Sequence, residues 1–248
     1  MTRVAWVTHH LTGERSGSAL LPGQYAGGAE MVDADMVAAA PDGVEVVWVP
    51  PDRWEEALDA DRVVITGTDL LSDVAMVRLA DEAPVVWVHH QQDPSPARAY
   101  LLRKAFPFVG MSDLHVRAEE GWAGVLGEVC SGWIDVSGIE QGPKGGHALW
   151  AARNHPQKGL LSARFWAARE GVELRELTDV PRDQVLAGMA EARWFVFLPT
   201  RLDACPRTLI EAEAAGCDIV TNGNAGRRPP GPLAEVMWVQ RERFWGWV

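Results

Sequence analysis

The sequence predicts an α/β protein built from two parallel-sheet units in series. Short β-branched runs alternate with helical segments through the first half, a glycine-rich stretch interrupts the pattern, and the alternation then resumes. Strands separated by helices are what crossover connections need when both faces of a parallel sheet are covered. With 248 residues and 47% apolar content, the chain suffices for one large core or two small ones of roughly 100 to 150 residues each.

Expected strands of the first unit are Val4 to Thr8, Val44 to Val49, Arg62 to Thr66, Val85 to His89, Phe108 to Met111 and Glu128 to Cys130. Helices are expected near 28 to 40, 54 to 59, 71 to 81, 95 to 104 and 112 to 121, where apolar residues recur at three-to-four spacing or a Ser, Thr or Asp marks a start. Residues 137–146, Ser-Gly-Ile-Glu-Gln-Gly-Pro-Lys-Gly-Gly, hold four glycines and a proline and are the expected linker. Behind them come strands at Ala148 to Ala152, Val172 to Glu176, Trp194 to Leu198 and Asp218 to Thr221, with helices at 158 to 170, 181 to 191 and 206 to 215. The division falls at residues 1–139 and 140–248. Pro229, Pro230 and Pro232 break the chain before a Trp-rich tail that has an apolar surface to offer either unit.

No run approaches the about 20 apolar residues of a membrane span, and Met1 to Val7 opens in strand-like sequence, not as a signal peptide. The three cysteines, Cys130, Cys205 and Cys217, show neither disulfide pairing nor zinc spacing, so a soluble protein of the reducing cytoplasm is expected. The net charge of -11 is uneven: residues 1–140 hold 9 Lys/Arg against 22 Asp/Glu, and residues 141–248 hold 14 against 12. The first half repels a polyanion, whereas the second accommodates a phosphate-bearing small molecule.

Ligands of open parallel sheets bind where loops leave the carboxyl ends of strands. Four such loops carry chemistry. Gly27-Gly28-Ala29-Glu30 opens a helix, where glycines permit close backbone approach and free amides attract an anion; otherwise it is a plain capped loop. His89-His90 ends a strand. Arg153-Asn-His-Pro-Gln-Lys158-Gly159 sets two cations five residues apart beyond a strand, a fork and a point charge suited to one diphosphate, or else ordinary surface charge. In Asp203 to Glu211, Pro206 suits the first helical position and Glu211 stands one turn after Arg207. That carboxylate can accept two ribose hydroxyls, or form a simple surface pair with Arg207 while Glu213 points away.

Taken in order, these segments resemble retaining GT-B glycosyltransferases of family four, the compact type included. Gly27-Gly28-Ala29-Glu30 looks like that family's N-terminal glycine loop, Pro84 to His90 its Pro-strand-His segment, and Gly132-Trp133-Ile134-Asp135 its Asn-Gly-Val-Asp signature. Arg153 to Gly159 resembles its Arg and Lys-Gly pair, and Asp203 to Val220 its Glu-x7-Glu segment with the small-residue turn and strand behind. The resemblance covers most of the chain and implies two Rossmann-like domains facing across a cleft.

It further implies that Arg153 and Lys158 hold the diphosphate, Glu211 holds the ribose, and backbone around Cys205, Pro206 and Arg207 faces the donor sugar. His90, or else His89, reaches the sugar from the first unit, and Gly27 and Gly28 approach the phosphates. Asp203 stands where the family has Glu, one methylene shorter. The implied reaction is front-face transfer with retention, needing no metal and no cofactor beyond the nucleotide-sugar, whose UDP, GDP or ADP moiety the sequence does not distinguish.

The acceptor stays open. Compact GT-B chains of this kind occur among phage-encoded enzymes that decorate modified DNA bases or virion proteins, yet the acidic first half offers DNA no basic surface; small metabolites, lipid-linked sugars and proteins are equally admissible. Three other readings are weighed. Asp33-Ala-Asp35 and Asp59-Ala-Asp61 match the DxD of metal-dependent transferases, but one falls inside a helix and the other before a strand. His9-His10 with His89-His90 would suit a metal hydrolase. A binding module for nucleotide-sugar or nucleic acid, catalytically weak, is the third.

Overall fold

The computed structural model describes residues 1–8, 28–66, 71–89, 96–104, 108–110, 112, 116–117, 128–130 and 133–248. The first unit runs β1 (Thr2–Val7), α1 (Gly28–Ala38), β2 (Val44–Val49), β3 (Arg62–Ile65), α2 (Asp73–Glu82), β4 (Val85–His89), α3 (Pro96–Lys104), β5 (Phe108–Gly110) and β6 (Glu128–Val129). Its six strands are parallel, in the order β2-β1-β3-β4-β5-β6, with Val4 beside Val46 and Arg62. Most of the helix expected at 112 to 121 lies outside the described residues.

Alternation along the strands feeds two cores. Ala5, Val7, Val63, Ile65 and Val85 pack on one face with Leu79 and Leu101 from α2 and α3. Val4, Trp6, Val64 and Val86 pack on the other with Met36 of α1. Between β2 and β3 the expected helix at 54 to 59 is a 3-10 turn, Pro51–Ala57, broken by the non-helical Arg53. Pro50, extended at ψ 150, caps the turn and Pro51 begins it, and the break at Arg53, φ -122, keeps it from continuing as one helix.

The second unit consists of β7 (Ala148–Ala152), α4 (Leu160–Glu170), β8 (Leu174–Thr178), α5 (Arg182–Glu191), β9 (Trp194–Phe197), α6 (Arg207–Ala214), β10 (Asp218–Thr221) and α7 (Leu233–Trp247). Its parallel sheet has the order β10-β9-β7-β8. Leu149, Ala151, Phe195 and Phe197 face the core under α5 and α6, and Ala148, Trp150 and Val196 face α4. β8 begins two residues later than expected because Gly171, at φ 67, closes α4 and the Val172 amide still donates to Ala167 O at 3.0 Å. Pro206 precedes α6 as its cap, at ψ 115, one residue short of the helical position expected for it.

Two features govern how the units meet. The glycine-rich stretch is docked rather than free: Lys144 Nζ donates to the carbonyls of Met189, Ala190 and Ala215 at 2.9, 3.1 and 2.6 Å, at the carboxyl ends of α5 and α6. A cation there meets the negative ends of two helix dipoles. The Trp-rich tail, α7, returns to the first unit, where Val236, Met237 and Phe244 complete the core around Trp6. Trp6 lies 5.7 Å from Phe244 and 5.8 Å from Trp48, ring centre to ring centre.

Candidate functional site

The carboxyl ends of β7, β9 and β10 gather the residues singled out in the second unit. After β7, Arg153 is exposed and the chain enters a 3-10 turn, Pro156–Lys158, capped by His155 Nδ1, which accepts from the Gln157 amide at 3.3 Å. The turn is fixed from below, since the buried Trp150 indole donates to Lys158 O at 3.2 Å, and from the side, since the Thr200 amide donates to Gln157 O at 2.9 Å. Gly159 follows at φ 75, and a Cβ there would lie 1.9 Å from Leu198 O. Only glycine lets the loops after β7 and β9 come this close.

That approach brings Lys158 to Asp203. The ammonium donates to Asp203 Oδ2 at 2.6 Å and stands 5.9 Å over the Phe197 ring. Asp203 is held in turn by the loop after β10: its amide donates to Asn224 O at 2.8 Å, and the Gly226 amide donates to Asp203 O at 2.7 Å. Asn222 and Asn224 side chains both donate to Pro199 O at 3.0 Å, stitching the loops after β9 and β10 together. Gly226 is again a forced glycine, since a Cβ would lie 1.7 Å from Ala204 O.

Four residues beyond Asp203 a second charged group begins. Arg207 and Glu211, for which the sequence predicts a ribose-binding carboxylate or a simple surface pair, do pair but are buried, 5% and 2% exposed. Arg207 Nε donates to Glu211 Oε1 at 2.7 Å, and Arg182 Nε at the start of α5 donates to the same oxygen at 2.8 Å. Arg207 Nη1 reaches Asp35 Oδ2 on α1 at 2.7 Å. Burial opposes the Arg207 charge, but Glu211 and Asp35 outweigh it and hold the guanidinium above its ordinary pKa. Asp135 lies alongside: the Ser137 amide and hydroxyl, with Arg182 and Arg207 more distantly, hold its carboxyl below the usual range despite partial burial. Glu213 turns away from this group to pair with Arg228.

Cys205 and Pro206 line the turn between the two groups. Burial, reinforced by Asp203, pushes the Cys205 thiol up to about 12, so it stays a neutral wall and not a nucleophile. Among the described residues no acceptor takes the amides of Cys205 and Arg207, and Pro206 has none to offer. Gly28 opens α1, while Gly27, His9, His10 and His90 lie outside the described residues, and His89 is placed only as the last residue of β4.

The structure thus joins Lys158 with Asp203 and Glu211 with Arg207, in two groups flanking one loop-helix junction. Sequence reasoning missed Arg182, and it weighed Asp35 only as half of a DxD. In that motif Asp33 is buried, accepting the hydroxyls of Thr66 at 2.7 Å and Thr8 at 3.3 Å, while Asp35 is taken by Arg207. Among the described residues no group of three His, Cys, Asp or Glu side chains is disposed to hold a metal ion, and no helix is long and apolar enough to cross a membrane.

No protein-family model matches the chain and no curated protein matches it by sequence. Solved structures do. The chain is similar to AviGT4, a glycosyltransferase involved in avilamycin A biosynthesis, at TM-score 0.61 and 16% identity, covering 99% of this chain and 93% of that one. It is similar to HepE of Anabaena, crystallised with UDP and glucose, at TM-score 0.60 and 14% identity over 98% and 90% of the two chains. It is similar to sucrose-phosphate synthase of Thermosynechococcus elongatus at TM-score 0.64 and 11% identity over 100% and 91%. The chain has the fold of the GT-B glycosyltransferases, two parallel α/β units with the Lys158 and Glu211 groups at the strand ends of the second.

Proposed function

We propose that the protein transfers a sugar from a nucleotide-sugar donor to a hydroxyl acceptor, with retention at the anomeric carbon and without a metal ion. The observation that carries this reading is the Lys158–Asp203 pair at the strand ends of the second sheet, four residues from the helix that bears buried Glu211. GT-B neighbours crystallised with UDP support a nucleotide-sugar donor.

In this reading Lys158 and Arg153 face the diphosphate and Glu211 accepts the ribose hydroxyls. The amides of Cys205 and Arg207, which no acceptor among the described residues takes, face the sugar with Asp203, and Gly27, Gly28 and His90 contribute from the first unit. The bond between the anomeric carbon and the phosphate oxygen breaks with its electron pair passing to that oxygen. The acceptor oxygen bonds to the same face of the anomeric carbon, and its proton passes to the departing phosphate oxygen. Products are the glycoside and a nucleoside diphosphate. The protein's contribution is charge: an ammonium carried on a fixed backbone turn and oriented by Asp203 stabilises the oxygen that becomes negative.

The test is a panel of UDP-, GDP- and ADP-sugars with chelator present, followed by thermal midpoint and by release of nucleoside diphosphate. One donor class raises the midpoint and is slowly hydrolysed without an acceptor. No shift and no release with any donor contradicts the proposal.

A further inference from the structure

One guanidinium joins the two sheet units at the carboxylate assigned to the ribose. Arg207 spans Glu211 on its own helix and Asp35 on α1, 172 residues away in sequence, at 2.7 Å each. The side chains of Arg207 and Glu211 are 4% and 3% exposed, and that of Asp35 is 25% exposed. Arg182 adds a second guanidinium to Glu211 Oε1. Both hydrogen bonds to Glu211 end on Oε1, and among the described residues none reaches Oε2. Asp35 Oδ2 also receives the Asp135 amide at 3.4 Å, so it is oriented from a second side.

We propose that Asp35 and Arg207 are positioning residues for the donor ribose: Asp35 draws off part of the Arg207 charge, leaving Glu211 oriented through Oε1 and able to accept both ribose hydroxyls at Oε2. The inference rests on Glu211 being the ribose acceptor. Two cations facing Glu211 alone would hold its charge tightly and make it a poor acceptor; with Asp35 present the group holds two cations and two anions. The planar guanidinium sends Nε to Glu211 and Nη1 to Asp35, two donors held in a fixed relation that a flexible ammonium does not keep.

The experiment titrates UDP, GDP and ADP, and the 2′,3′-dideoxy form of each, into the full-length wild type and into Asp35→Asn, Asp35→Glu and Arg207→Lys, with melting recorded for each. Wild type prefers one ribonucleotide over its dideoxy form. Asp35→Asn and Arg207→Lys lower that preference about tenfold by weakening the ribonucleotide alone, and Asp35→Glu, which keeps the charge, retains most of it. A purely structural role would weaken both forms equally. If wild type discriminates and folded Asp35→Asn or Arg207→Lys discriminates as well, the positioning role is overturned while the ribose reading stands. If wild type binds both forms alike, or neither, the assignment of Glu211 falls and takes this inference with it.

Discussion

Lys158 and Asp203 meet at 2.6 Å although they leave different strands, β7 and β9, which are neighbours in the second sheet. The Lys158 side chain is the more exposed of the two, 34% against 18%. An aspartate in place of a longer glutamate keeps the carboxylate close to its own backbone, which Asn224 and Gly226 fix in the loop. The pair depends on two glycines, Gly159 and Gly226, that let three loops touch.

Gly159→Ala lowers stability by at least about 2 kcal/mol, because it combines a positive φ with a Cβ 1.9 Å from Leu198 O. Gly138→Ala, where a Cβ meets nothing within 4 Å, changes stability by no more than about 0.5 kcal/mol. Urea unfolding of both variants checks the contrast; equal effects would contradict the packing described for the loop.

Phe244→Ala costs about 3 to 5 kcal/mol by opening a cavity beside Trp6. Trp238→Ala, on the exposed side of the same helix at 55% exposure, stays within about 0.5 kcal/mol. Chemical denaturation with tryptophan fluorescence distinguishes them. A silent Phe244→Ala would mean that α7 is not part of the first unit's core.

Cys205 titrates in reverse of a reactive thiol. Its folded pKa of about 12 lies above the ordinary 9.0, so the stability it contributes is intact below pH 9 and is lost as pH rises through about 12. At pH about 8.5 iodoacetamide therefore labels Cys205 slowly in the native protein and readily in urea, as read by peptide mass. Equal labelling rates in the two states would overturn the assignment.

The strands could be placed from short apolar runs, clearest where the strand is buried on both faces, as in Val4 to Val7 and Ala148 to Ala151. Their ends were less legible. Val172 reads as strand by type, yet its amide is committed to Ala167, and the segment at 54 to 59 is part of a 3-10 turn broken at Arg53. Lys158, Asp203 and Glu211 were singled out through their place in an ordered set of motifs. Arg182 and Asp35 were not, since each meets its partner across 29 or 172 residues and no local pattern marks an ion pair closed by tertiary packing. The tail shows the same limit: its tryptophans announce an apolar surface, but only the assembled first sheet, with Trp6 packed against Phe244 and Trp245, determines where that surface goes.

The central claim, that the Lys158 charge stabilises a departing nucleoside diphosphate, is tested most directly by the turnover of Lys158→Ala on the donor that wild type accepts, with Arg153→Ala alongside. Lys158→Ala loses turnover by about 100- to 1,000-fold with its circular dichroism spectrum unchanged. Turnover within about threefold of wild type in both folded variants, less than 1 kcal/mol of transition-state stabilisation, would contradict it.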